Sequence, residues 1–157
     1  MLNVSESLAQ LLLIIDEHPH RRVVLIGPQG AGKSTLGQMA AQRCGIPWFD
    51  SDILLLQRFQ NAYGVEAASS IQGVYRTLGW WRFRRWENQV VQQLQQIDGP
   101  AIISLGGGAH VYALACRPLF KQSIVVGVDR LAVSSWGSWL RVYVMRYYAV
   151  CLLGLNS

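Results

Sequence analysis

The sequence predicts an α/β protein in which a parallel sheet carries helices on its faces. A glycine-rich segment at residues 27–34 lies between a β-branched run at 22–26 and an amphipathic stretch at 35–44. Later apolar runs at 46–49 and 101–105 end in acidic or glycine residues, as buried strands do where they reach a ligand-binding edge. Strand, glycine turn and helix in this order are typical of a parallel α/β unit that binds phosphate.

Length and composition fit one folded domain that handles anions. The chain has 157 residues, of which 51% are hydrophobic and 15% charged, and its formal charge is +5. This composition excludes a disordered chain. The arginines form no long basic run, so nucleic-acid binding is not expected. Three widely spaced cysteines favour a reducing cytoplasm over a disulfide framework or a zinc site.

The apolar pattern of residues 1–20 predicts a helical extension that precedes a domain at 21–157. Leucine and isoleucine recur there at helical spacing, and Pro19 ends the helix. The apolar run at 11–15 is too short for an export signal or a spanning helix. We therefore expect no membrane association and assign the extension a packing role.

Residues 27–34 match the pattern G-x-x-x-x-G-K-[ST] without a mismatch. Glycines allow a tight turn whose backbone N–H groups point at anionic oxygens, and the following helix dipole adds to that field. Lys33 would reach the β- and γ-phosphates, and the Ser34 hydroxyl would bind Mg²⁺. A glycine-rich turn that merely precedes Lys-Ser is the alternative. The flanking strand and helix favour a nucleoside-triphosphate site.

Two carboxylates, Asp50 and Asp52, follow the short strand at 46–49. Residues two positions apart lie on the same side of a strand, here at the ligand-binding edge of the sheet. One carboxylate can hold Mg²⁺ through water while the other accepts a proton from a substrate hydroxyl. The alternative is a solvated turn in which Asp52 caps the next helix.

Two further features lie in the middle of the chain. Residues 53–78 predict helical pieces interrupted near 61–64, and Gly79 opens a long helix in which Glu87 can brace Arg84 for a substrate carboxylate. A surface ion pair is the alternative. The strand at 101–105 ends in three glycines at 106–108, which suit close approach of a ligand or, alternatively, a flexible turn.

Together these residues resemble the shikimate kinase family, small P-loop kinases of the nucleoside-monophosphate-kinase type. The family pattern is a phosphate loop, F-D-[ST]-D, G-E-x-x-F-R-x-x-E and a triple-glycine strand end. This chain has the loop at 27–34, Phe49-Asp50-Ser51-Asp52, Gly79-Trp80-x-x-Phe83-Arg84-x-x-Glu87 and the glycines at 106–108. All four motifs occur in order at near-family separations, and the match covers residues 22 to about 110. Three features depart from the family: Trp80 replaces the usual acid, Leu56 stands where an acid is common, and a few extra residues lie between Asn61 and Ala67.

The resemblance implies a three-layer α/β/α P-loop fold and transfer of the ATP γ-phosphoryl group to the 3-hydroxyl of shikimate in aromatic amino-acid biosynthesis. Lys33 and Asp52 would be catalytic, and Ser34 and Asp50 would serve Mg²⁺. The implied ATP contacts are Gly27, Gly30, Ala31, Gly32, Lys33, Ser34 and Thr35. The implied shikimate contacts are Asp52, Arg84, Glu87, Gly106, Gly107 and Gly108. The family also implies a monomer.

The region from about residue 111 departs from the family pattern. We predict a strand at 124–128, a helix at 131–141 that enters a lid, and a parallel sheet of order 2-3-1-4 without the fifth strand. Arg141 or Arg146 would be the lid arginine, and a truncation or frame shift would explain the tail. Two alternatives stay open: a nucleotide-binding relative without a working lid, and a kinase for another small hydroxy acid.

Overall fold

The structure is a computed structural model and describes residues 4–132 and 138–144. The described residues form five strands, and helices separate the first four of them along the chain. The elements are α1 (Val4–Glu17), β1 (Arg22–Ile26), α2 (Lys33–Cys44), β2 (Trp48–Asp50), α3 (Ser51–Tyr63), a 3₁₀ turn (Val65–Ala67), α4 (Ile71–Gln95), β3 (Ile102–Ser104), α5 (Ala109–Tyr112), α6 (Cys116–Lys121), β4 (Ser123–Ala132) and β5 (Ser138–Val144).

The first four strands form a parallel sheet of order β2-β3-β1-β4, which confirms the predicted order. Every residue of β1 is buried, as expected for a central strand with helices on both faces. The parallel arrangement brings the carboxyl ends of β1, β2 and β3 to one edge. The phosphate loop, the two carboxylates and the three glycines all follow these ends, so the fold gathers them.

The region after β4 differs from the prediction. The helix predicted at 131–141 is wrong wherever the structure describes it, because β4 continues to Ala132 and β5 pairs with it in antiparallel register. The sequence of β5, Ser-Trp-Leu-Arg-Val-Tyr-Val, is rich in β-branched and aromatic residues, which favour strands. No fifth parallel strand lies among the described residues, and β5 takes that edge position instead.

The two predicted lid arginines have different outcomes. Arg141 lies on β5, with its Cα in register with that of Asp129 on β4, so it does not belong to a lid helix. Arg146 falls outside the described residues. No described helix combines the length and the apolar character needed to cross a membrane.

The helices pack on the sheet in two apolar clusters. One contains α1 and α2, where Leu8 and Leu11 are buried with Leu36. The other contains α3, α4 and α6, where Phe59 and Leu94 are buried. The predicted N-terminal helix is therefore present and shares the core of the sheet.

Helix α4 is kinked at Gly79, which has a φ of 71° and a ψ of 168° inside the element. This backbone conformation is open to glycine and strained for other residues. The predicted opening of a helix at Gly79 corresponds to this kink, which divides α4 into a first arm at 71–78 and a second arm at 80–95. The predicted interruption before it is confirmed at Gly64, which ends α3.

Candidate active site

The phosphate loop joins β1 to α2, as its sequence predicts. Gly27 packs so closely on the Val128 carbonyl that any Cβ would collide with it, which fixes the start of the loop against β4. Lys33 is buried, and its ammonium donates hydrogen bonds to the carbonyls of Gly27 at 2.9 Å and Pro28 at 2.7 Å. Burial lowers its pKa, and the neighbouring Asp52 and Asp50 oppose this effect.

A cavity of about 310 Å³ opens over this loop. Five of the predicted phosphate-loop contacts line it: Gly30, Gly32, Lys33, Ser34 and Thr35. Two others, Gly27 and Ala31, do not line it, and Ala31 is buried. Gln29, Asp50 and Asp52 also contribute to its wall. Backbone N–H groups at a helix N-terminus beside a lysine form a binding site for a polyanion.

The Asp50 carboxylate accepts hydrogen bonds from three groups. Its Oδ2 accepts a hydrogen bond from the Ser34 hydroxyl at 2.5 Å. Its Oδ1 accepts from the backbone N–H groups of Asp52 at 2.9 Å and Ile53 at 3.3 Å, so Asp50 is the N-cap of α3. The helix cap that the sequence assigned to Asp52 as an alternative thus belongs to Asp50. The hydroxyl and carboxylate oxygens of this pair are ligands of the kind that Mg²⁺ prefers.

Asp52 is half-buried and turns toward the space between two cavities, since it lines both of them. The pKa of its carboxyl is raised to about 6, first by burial and then by the negative charges of Asp50 and Glu87. Lys33 and Arg84 act in the opposite direction. A carboxylate with a pKa near 6 is suited to take up a proton close to neutral pH.

Arg84 and Glu87 form a partly buried pair on the second arm of α4. The Arg84 guanidinium donates to the Glu87 carboxylate at 2.7 Å, and the Glu87 side chain is only 3% exposed. Burial raises the pKa of Glu87, and the bond to Arg84 opposes that rise. The guanidinium also lies 4.5 Å from the ring centre of Tyr112. The surface-pair alternative is therefore wrong for these two residues.

The three glycines after β3 provide space for their neighbours. A Cβ at Gly106 would collide with the Asp52 carboxylate, one at Gly107 would lie 2.8 Å from the Gln29 nitrogen, and one at Gly108 would lie 2.8 Å from both terminal nitrogens of Arg84. The Gly106 N–H donates to the Ser51 hydroxyl at 2.8 Å. These contacts hold the glycines against the loop, Asp52 and Arg84, so the segment is packed and does not form a loose turn.

A second cavity of about 540 Å³ adjoins the first and shares Gln29, Asp52 and Gly107 with it. Twelve residues line this cavity, and the sequence predicted five of them as site residues and did not predict the other seven. The predicted ones are Asp52, Arg84, Glu87, Gly107 and Gly108, and the missed ones are Pro28, Gln29, Ile71, Gln72, Tyr75, Arg76 and Phe83. Gln72, Tyr75 and Arg76 share a helix face at spacings of three and four, but only the kink at Gly79 shows that this face turns to the cavity.

The fold and the site define a class. A phosphate loop, a second cavity beside it and a carboxylate that lines both cavities form the arrangement found in P-loop small-molecule kinases. A sequence model described as shikimate kinase matches residues 29–132, more than half of the chain. The chain belongs to the shikimate kinase family.

Relatives and solved structures agree with this assignment. The chain is 32% identical over 111 residues to a shikimate kinase of Rhizobium meliloti, covering 69% of this chain and 52% of that protein. It is 36% identical over 106 residues to one of Actinobacillus succinogenes, covering 68% and 55%. A crystal structure of shikimate kinase from Acinetobacter baumannii in complex with shikimate superposes with a TM-score of 0.55 at 28% identity, over 67% of this chain and 54% of that one. The chain spans a little over half the length of these relatives.

Proposed function

We propose that this chain transfers the γ-phosphoryl group of ATP to the 3-hydroxyl of shikimate. The observation that supports it best is the position of Asp52, which lines both the phosphate-loop cavity and the cavity that contains Arg84. A substrate whose carboxylate binds Arg84 would present a hydroxyl near Asp52, beside the γ-phosphate. The structural neighbour from Acinetobacter baumannii, which was solved with shikimate, supports the choice of this acid.

In the proposed reaction Asp52 accepts the proton of the shikimate hydroxyl as the oxygen attacks the γ-phosphorus. The bond between that phosphorus and the bridging oxygen of ADP breaks, so that shikimate 3-phosphate and ADP leave. Lys33 would turn from the carbonyls of its own loop to the β- and γ-phosphates. Ser34 and Asp50 would hold Mg²⁺, which when bound would neutralise charge on the phosphate oxygens. Positioning and electrostatics would supply most of the rate.

Substrate orientation would come from the cavity of about 540 Å³. Its polar side holds Arg84, braced by Glu87, for a bidentate contact with the carboxylate. Gly107 and Gly108 line the same cavity and would allow the ring to approach the backbone closely. Gly106, which packs against the Asp52 carboxylate, and the buried Ala31 of the phosphate loop would support the walls of the two cavities. We further propose a cytoplasmic monomer that acts on a small molecule and not on nucleic acid or membrane.

The test is phosphoryl transfer from ATP to shikimate by the purified chain, measured as ADP release and as shikimate 3-phosphate. Lys33→Ala removes the ammonium proposed to bind phosphate, and Asp52→Asn removes the proposed base. Each variant should reduce turnover by at least about a hundredfold. Turnover that survives in both variants would contradict the proposal. ADP binding that depends on Lys33 without any turnover would favour a nucleotide-binding relative, and turnover with a different hydroxy acid would favour a kinase of another substrate.

A further inference from the structure

The first arm of α4 carries an arginine that the motifs of this family do not include. Arg76 is exposed, lines the same cavity as Arg84 and Asp52, and forms no ion pair within the described part of the chain. We propose that Arg76 is a second carboxylate-binding residue, which shares the substrate carboxylate with Arg84. This inference rests on the proposed function, because it assumes that an anionic hydroxy acid occupies this cavity.

The charges of the cavity give the physical reason. Its charged lining residues are Asp52, Glu87, Arg84 and Arg76. Without Arg76 they sum to −1, from two carboxylates and one guanidinium, and that guanidinium is already bonded to Glu87 at 2.7 Å. A carboxylate would then enter a cavity of like charge. With Arg76 the sum is zero, and one cation has no partner among the described residues.

The kink in α4 places Arg76 where it can act. Tyr75 and Phe83 lie on different arms of the helix, yet their rings meet edge to face with centres 5.2 Å apart. Each precedes one of the two arginines, so this ring contact brings the backbone of Arg76 and Arg84 onto the two sides of one cavity. A planar guanidinium on a flexible stem can bind a carboxylate together with the braced Arg84, because both arginines line the same cavity.

The experiment is a binding cycle that combines a side-chain change with a change of ligand charge. Shikimate, its neutral methyl ester and the related acid quinate are titrated calorimetrically into the wild-type chain and the Arg76→Gln variant. Arg82→Gln is the matched control, since Arg82 is an exposed arginine of the same helix that does not line the cavity. ADP is titrated into each protein to show that the phosphate loop is intact.

We expect Arg76→Gln to raise the Kd of shikimate about tenfold, the size of one charge-assisted hydrogen bond. The Kd values of the methyl ester and ADP should not change, and Arg82→Gln should match the wild type throughout. An equal loss for acid and ester, or no loss for any acid, would overturn the proposal. Binding of quinate alone, with dependence on Arg76, would support Arg76 and contradict shikimate as the substrate. If no acid binds the wild type although ADP does, both proposals fail.

Discussion

Asp50 and Asp52 follow the same strand, yet their surroundings separate their chemistry. Asp50 accepts hydrogen bonds from Ser34 and from two backbone N–H groups at the start of α3. Asp52 makes no cap and instead lies in the first turn of that helix, between two cavities. Its carboxyl is consequently the one that is available for proton transfer.

The pH dependence of turnover tests this assignment. Because the pKa of Asp52 is raised to about 6, the base form is lost as the pH falls below that value. We expect kcat/KM to be flat above pH 7 and to fall about tenfold per pH unit below pH 6. Asp52→Asn should remove this limb and leave a low, flat profile. A wild-type profile that stays flat down to pH 5 would contradict the role of Asp52.

The same pKa predicts an effect on stability. Folding raises the pKa of Asp52 from 3.8 to about 6, so the folded state binds this proton more tightly than the unfolded state does. The ionised carboxylate therefore lowers the free energy of unfolding above pH 6, and this penalty disappears as the pH falls toward 3.8. We expect Asp52→Asn to unfold at higher urea than the wild type at pH 8, by on the order of 1–3 kcal/mol. A gap that is equally large at pH 4 would refute this explanation.

Alanine at two neighbouring glycines should have different consequences. At Gly108 the new methyl group meets the flexible end of Arg84, which can move, so stability should change little while the Kd of shikimate rises. At Gly107 it meets the Gln29 backbone nitrogen, which the loop holds in place, so ADP binding and stability should both decrease. Thermal unfolding and calorimetry of the two variants provide the comparison. Identical behaviour of both would show that these contacts do not decide the outcome.

For single residues, the sequence predicted which polar side chains belong to the candidate site better than it predicted the hydrogen bonds and contacts that they make. Lys33, Asp52 and Arg84 were found because each belongs to a motif of fixed spacing. The family resemblance assigned separate roles to Asp50 and Asp52, but the residue pattern offered Asp52 as the helix cap, whereas Asp50 is the cap, because this depends on the residue at which α3 begins. Arg76 and Tyr75 belong to no motif, and their position depends on the direction of the helix after Gly79.

At the scale of the elements, the kink in α4 decides the shape of the cavity of about 540 Å³. Gly79 holds a φ of 71°, and a Cβ there would meet no atom within 4 Å, so a substitution is opposed only by backbone strain. Both arms line the cavity, the first with Tyr75 and the second with Phe83. Straightening the helix would therefore separate the two walls.

Gly79→Ala tests this role of the kink. We expect the free energy of unfolding to fall by about 1–3 kcal/mol, and the Kd of shikimate to rise because the arms move apart. The Kd of ADP should stay at the wild-type value. Thr77→Ala, at an exposed position two residues earlier, is the control and should leave both ligands unaffected. If Gly79→Ala is destabilised but binds shikimate with the wild-type Kd, the kink contributes to stability and not to substrate binding.

Sequence patterns predicted the secondary structure correctly in the first part of the chain and wrongly after β4. The strands β1, β2 and β3 were predicted because short apolar runs stand next to turn residues and helices of clear period. The prediction of a helix at 131–141 gave too little weight to the turn signal of Ser134, Ser135 and Gly137, and the short apolar runs on either side of it fit either period. Its antiparallel pairing with β4 is a tertiary contact, which a local pattern does not contain.

At the scale of the whole molecule, the N-terminal helix completes one side of the core. Leu8, Leu11 and Ile15 of α1 are buried in the cluster that also holds Leu36 of α2 and Val142 of β5. These positions are three or four residues apart, so one stripe of α1 covers apolar surface that α2 and the sheet edge would otherwise expose to water. The proposed site residues lie at the carboxyl ends of β1, β2 and β3 and on the loops and helices that follow them, and α1 supplies none of them.

Leu11→Ala separates stability from function for this helix. The side chain is fully buried, and its truncation should lower the free energy of unfolding by about 2–5 kcal/mol through lost burial and the cavity left behind. Leu13 lies on the same helix and is 63% exposed, so Leu13→Ala should change stability by less than about 0.5 kcal/mol. Urea unfolding measures both, and the Kd of ADP should equal the wild-type value in each variant at temperatures where it stays folded. Equal stabilities of the two variants would show that α1 does not contribute to the stability of the domain. A large loss of ADP affinity in folded Leu11→Ala would show that the helix supports the phosphate loop through α2.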